Sequence, residues 1–228
     1  YGVLIAFKNF SLKKGILQSP WCGLENFRQL FSSFWFPIIL KNTIGISLLS
    51  LVICFPMPII VALMLNELKN GKSKKIIQTV SYAPHFISTV VICGMLILFL
   101  SPSSGIINKL IEPFCKEPIY FLRDAQYFKG VFVLSDLWQG LGWGTIIYTA
   151  ALAGVDKSLL EAAEMDGASR FQKILYINLP VLIPTILVLF ILQCGSILSV
   201  GYEKVFLLQT DTNLRASEVI STYVYKVG

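Results

Sequence analysis

Four apolar runs, over residues 37–65, 77–100, 131–154 and 181–202, constrain this chain more than any other feature. Each exceeds the roughly 20 residues a helix needs to cross a bilayer. Backbone groups in lipid must be satisfied within the segment, so runs of this length are helices. The composition agrees: 55% of the 228 residues are hydrophobic and 14% charged, against about 25% charged for a soluble domain. Mean hydropathy is +0.69. The net charge of +6 does not point to nucleic acid, because the basic residues flank the apolar runs.

The first run contains Pro56 and Pro58 and is expected to kink there; the second holds Pro84 and His85. Between them Lys69, Lys72, Lys74 and Lys75 crowd a short connector, which the positive-inside rule places in the cytoplasm. Alternation then puts residues 8–36 and 101–130 outside and residues 155–180 inside. Residues 1–7 read as the end of an earlier span, and residues 203–228 as a polar outer segment. Trp21, Phe27, Phe31, Trp35 and Phe36 mark an interfacial belt, and Lys41 is expected to snorkel outward. Cys22, Cys54, Cys93, Cys115 and Cys194 have no metal or redox spacing. Cys22 and Cys115 both fall outside, which leaves a disulfide between them open. No signal peptide is visible.

The inner connector has its own logic. Ser158 and Glu161 have the spacing of a capping box, which would start a helix there. Ala162 and Ala163 offer a small-residue surface. Gly167 allows a sharp turn, after which Arg170 and Lys173 alternate with Phe171, Ile174 and Leu175, and Pro180 suits the start of the next helix. Within the third run, Asp136, Gln139, Gly140 and Trp143 recur on one helix face. Ionisable groups inside a membrane are costly and face an interior or a cavity, so these residues are candidates to line a solute path. In that role Asp136 and Gln139 would bond hydroxyls, Gly140 leave room and Trp143 stack on a ring. Gln193 and Ser196 make a similar case one span later. The bland alternative is a helix contact with a bonded polar residue. His85 lacks titratable partners at helical spacing and reads as a polar group satisfying a bent helix.

Glu161-Ala162-Ala163, then Gly167, then Ile177-Asn178-Leu179-Pro180 resemble the EAA loop of ABC importer permeases, with every fixed position at the family spacing. The opening Ser19-Pro20-Trp21-Cys22-Gly23-Leu24-Glu25-Asn26-Phe27, the segment Pro84-His85-Phe86-Ile87-Ser88, and Trp138 to Trp143 with Ile146-Ile147-Tyr148 are similar to the carbohydrate, maltose-type branch. The resemblance implies an all-α, polytopic helix bundle of the type I (methionine-permease-like) fold, seen as about five of six core spans and truncated at both ends. It implies a multi-pass protein of the bacterial cytoplasmic membrane that translocates an oligosaccharide by alternating access. The partners it implies are a second permease subunit, in this branch a different chain, two nucleotide-binding ATPase subunits and an extracellular solute-binding protein. ATP and Mg would be held by the ATPase subunits and no cofactor by this chain, which carries no Walker sequence and no catalytic or metal-ligating set. Ser158, Glu161, Ala162, Ala163, Asp166, Gly167, Arg170 and Phe171 would couple it to the ATPase. The rivals are an ABC permease for another small solute and a secondary transporter; inverted repeats, common in the latter, are not visible.

Overall fold

A computed structural model describes residues 2–68, 71–114 and 117–227. Lys69 of the basic connector and Cys115 of the candidate disulfide lie outside the described residues. Among those described the structure is helical, with a single isolated bridge between Lys8 and Trp21.

Helix α1 (Trp35–Cys54) and helix α2 (Pro56–Glu67) follow one another as a 33-residue apolar span. The expected proline kink is an interruption at Phe55. Pro56 and Pro58 have no N–H, so the carbonyls of Val52 and Cys54 lose their helical partners.

The run 77–100 is not one straight helix. Helix α3 (Lys72–Tyr82) passes through a 3-10 turn, Ala83–Phe86, into helix α4 (Thr89–Phe99), and the two meet at 99°. Two residues make the bend. Pro84 cannot continue the helical ladder, and Ser88 starts a new helix by accepting the amide of Val91 on its side chain.

Helix α5 (Ala125–Leu152, 28 residues) begins before the apolar run 131–154 and forms the axis of the bundle. One core joins its first half to α1 and the C-terminal segment through Ile46, Phe128, Phe132, Val133, Val205 and Leu208. A second core joins its last half to α2 and the following span through Ala62, Leu63, Tyr148, Leu152 and Leu182. By length and apolarity the described helices capable of spanning are Trp35–Glu67, Arg170–Gly195 and, taken as one, the bent pair. Helix α5 is as long but more polar, and it packs against α1, α2 and α3.

Within the inner connector, helix α6 (Lys157–Met165) precedes a continuous helical stretch from Arg170 to helix α7 (Leu179–Gly195), with a π-helical turn at Ile174–Asn178. The helix stops at Gly195, short of the expected 202, and helix α8 (Tyr202–Leu208) follows. The segment read as polar and outer folds back onto α1. Asn42 donates to the carbonyls of Arg215 and Glu218, and the Thr43 hydroxyl accepts the amide of Ile220. Asn213, Ser217, Glu218 and Thr222 are buried in this network. Their polarity therefore marks mutual pairing.

Candidate functional site

The connector between α5 and α7 is two short helices locked at a fixed angle. Helix α6 is capped by Asp156, whose Oδ1 accepts the amide of Ser158 at 2.9 Å. The expected capping box of Ser158 and Glu161 does not form, because Asp156, two residues earlier, takes the cap and leaves Ser158 inside the helix. The box sits instead at the second helix: Ser169 Oγ accepts the amide of Gln172, and Gln172 Oε1 accepts that of Ser169.

Between the two helices Gly167 has φ +78°, a left-handed conformation that glycine adopts at little steric cost. The amide of Ala168 reaches the carbonyl of Ala163 and that of Gly167 the carbonyl of Glu164. This pair of bonds closes a helix on a left-handed residue. Lys173 then pairs with Glu164 across the turn at 2.5 Å. The hydrogen bond and charge of Lys173 hold the Glu164 carboxyl below its usual range, and the bonds from Ser158 do the same for Asp156.

No residue of α6 is buried. Glu161, Ala162, Asp166, Arg170 and Phe171 are exposed and Ala163 is half-buried. Met165, 88% exposed, and Phe171, 70%, project apolar surface from the same unit. Below it, Asn178 of the π-helical turn is fully buried and reaches Glu67 at the end of α2 at 3.5 Å.

The other polar site lies along α5. A cavity of about 320 Å³ is lined by Asp136 and Gln139 of α5, Ser47 and Ser50 of α1, Gln193 and Ser196 at the end of α7, and Glu203 and Lys204 of α8. A second, of about 380 Å³, continues past Asp136 and Gly140 toward Tyr148. Both include Ser50, Asp136 and Gln193, so polar groups follow the axis of α5 over several turns. Five of the six path candidates therefore line these cavities, and Gly140 faces open space.

Trp143 does not line either of them. Its ring stacks on His85 at 4.5 Å and 5° and meets Phe86 edge-on, because the bend between α3 and α4 brings the 3-10 turn against that side of α5. The indole, half exposed, thus has one face covered by His85, and His85 sits at the bend of the span, as expected, with its ring packed on Trp143. The carbonyl left free at the bend, that of Ile87, is satisfied by Gln139 Nε2 at 3.2 Å.

Sequence reasoning missed Lys204. Its side chain is 5% exposed and its Nζ lies 3.5 Å from Asp136 Oδ1, over the ring of Phe132. The available signal was a basic residue directly after Glu203, at the end of an apolar run, where a second helix breaks the span.

The sequence profile described as "Binding-protein-dependent transport system inner membrane component" matches residues 55–202. The chain is 42% identical over 228 residues to Protein LplB of Bacillus subtilis, covering 100% of this chain and 72% of that protein. It is equally similar, 42% identical over 228 residues, to the polygalacturonan/rhamnogalacturonan transport system permease protein YteP of the same organism, covering 100% and 71%. It superposes with a TM-score of 0.91 on a chain of a bacterial ABC transporter involved in import of the acidic polysaccharide alginate, with 40% identity, covering 100% of this chain and 76% of that one.

The chain belongs to the binding-protein-dependent transport system inner membrane component family. It is a multi-pass membrane permease component of an ABC importer. Membership decides against the secondary-transporter reading.

Proposed function

We propose that this chain forms half of the transmembrane path of an oligosaccharide importer, with a second, different permease subunit supplying the other half. Hydroxyl-bearing rings pass along the cavities that share Ser50, Asp136 and Gln193. Carboxylate and amide groups there can exchange hydrogen bonds with successive hydroxyls without a deep minimum at any one. The similarity to polysaccharide permeases supports this cargo over another small solute.

ATP and Mg are held and hydrolysed by two partner subunits, and an external binding protein delivers the cargo. The connector is the coupling element. Glu161, Ala162, Asp166, Arg170, Phe171 and Met165 form its docking face, while Asp156, Gly167 and Ser169 preserve its shape. The observation that carries the reading is that this capped unit leaves α6 with no buried residue, while its second helix, joined to α6 by the closed turn at Gly167, runs without a break from Arg170 into α7, whose far end lines the cavity. Movement imposed on the docking face therefore reaches the path through one helix.

The test is ATP hydrolysis by the reconstituted complex, with its binding protein loaded from a panel of saccharides. Stimulation by an oligosaccharide class is expected. An active complex stimulated only by a non-carbohydrate solute would assign another cargo, and a complex without ATPase subunits would overturn the coupling role.

A further inference from the structure

A groove runs between α4 and the outer half of α5. Ile92, Leu96 and Phe99 of α4 and Tyr127, Leu134 and Trp138 of α5 line one cavity of about 560 Å³. Both sets recur at helical spacing, so each helix contributes a continuous face. Gly130 opens the floor between them, since a Cβ added there would meet nothing within 4 Å. From Gln126 to Trp138 the cavity follows α5 for about 18 Å. The hydrocarbon of one leaflet is about 15 Å deep, half the thickness of the bilayer core.

At Leu100 and Phe121 this cavity meets a second, of about 520 Å³, whose lining turns polar with Ser101, Arg123, Gln209, Thr210 and Thr212. No described Asp or Glu lines either cavity. Arg123 lies over the ring of Tyr120 and joins none of the ion pairs among the described residues. Gln209 carries an independent signal. Its Oε1 accepts from the Lys226 ammonium, a group that can only donate, which fixes the orientation of the amide. Its Nε2 is buried with no hydrogen-bond partner among the described residues. Buried donors are ordinarily paired, so this one points to an acceptor from outside the chain.

We infer that the joined cavities hold one anionic phospholipid of the outer leaflet. An acyl chain lies along Gly130 between α4 and α5. The phosphodiester meets Arg123, whose planar guanidinium matches phosphate oxygens, and an ester or phosphate oxygen accepts from Gln209 Nε2. The order of groups along the groove is that of the lipid itself, apolar inward and cationic at the outer end. The bilayer around a multi-pass permease supplies such a molecule at that depth. No residue lining this site lines the two polar cavities along α5, so it is separate from the solute path.

The experiment uses the complete importer, purified in detergent, depleted of lipid and offered equal amounts of phosphatidylglycerol and phosphatidylcholine with matched chains. Lipid retained after washing is extracted and counted by mass spectrometry. The native complex is expected to keep phosphatidylglycerol in preference. Gly130→Leu fills the groove and should release that lipid, whereas Gly130→Ala should retain it. Arg123→Gln should lower the preference about fivefold, the effect of one basic residue beside an anionic lipid, and Arg123→Lys should keep most of it. Equal retention of the two lipids by the native complex, or unchanged phosphatidylglycerol in Gly130→Leu and Arg123→Gln, would overturn the site. Loss of the second permease subunit from the Gly130→Leu complex, with its lipid unchanged, would assign the groove to a protein partner and overturn the lipid.

Discussion

A Cβ placed on Gly142 would overlap the backbone carbonyl of Ser81, so α5 and the end of α3 cross with their main chains in contact. The bend after Tyr82 depends on this approach, because it brings the 3-10 turn against α5, where His85 stacks on Trp143 and Gln139 meets Ile87. Gly142→Ala is expected to cost about 1–3 kcal/mol, the range for overpacking a filled contact. Gly94→Ala, where a Cβ meets nothing within 4 Å, should cost far less. Thermal unfolding of the two variants in detergent compares them, and equal midpoints would refute the crossing.

The pair of Asp136 and Lys204 is asymmetric. The lysine side chain is 5% exposed and the aspartate 48%. Asp136→Asn strips a buried ammonium of its counter-ion, a change that costs about 3–5 kcal/mol in comparable buried pairs. Lys204→Met leaves a carboxylate that water reaches and should cost about 1 kcal/mol or less. The double variant should lie near Lys204→Met alone. The same unfolding assay reads all three, and equal single-variant losses would contradict the burial.

The apolar stretches of α1–α2 and α7 and the turn at Gly167 were legible in the sequence because each has a local signature: continuous apolar residues, and a glycine at a fixed distance from an alanine pair. What escaped depends on residues far apart in the chain. Asp136 is on α5 and Lys204 on α8, and nothing local announces that they meet. Trp143 shares a helical face with Asp136, yet a bend 57 positions earlier in the chain, at Phe86, supplies its stacking partners. The cap was misplaced for a different reason. Asp156 and Ser158 are both good N-caps, and spacing to Glu161 favoured the one the backbone does not use.

At Gly167 nothing lies within 4 Å of an added Cβ, while φ is +78°, so substitution acts through the backbone and not through a clash. Gly167→Asn should therefore be milder than Gly167→Ala, and Gly167→Val worst, with a cost of about 1–2 kcal/mol for an ordinary residue. Copurification of the ATPase subunits should fall in that order. Ser169→Ala should weaken the second helix by about 1 kcal/mol, and Ser158→Ala should not. A reversed order in either series would contradict the turn and cap assignments.

The Glu164 carboxyl is held below its ordinary value by Lys173. Its contribution is present above the unfolded pKa and is lost as pH falls through the lower folded value. A carbon NMR titration of Glu164 should give a midpoint below that of a free glutamate, and Lys173→Met should return it to normal. An ordinary midpoint in the native protein would show that the two sides of the turn are not paired.

The measurement that bears most directly on the account is thiol accessibility at Ser50, which lines both cavities. Ser50→Cys, in a background without the native cysteines, would be treated with a membrane-impermeant reagent applied from outside, in the reconstituted complex. The account predicts labelling that changes between the ATP-trapped and nucleotide-free states and that cargo suppresses. Labelling identical in both states and unaffected by any saccharide would contradict the claim that these cavities are the path.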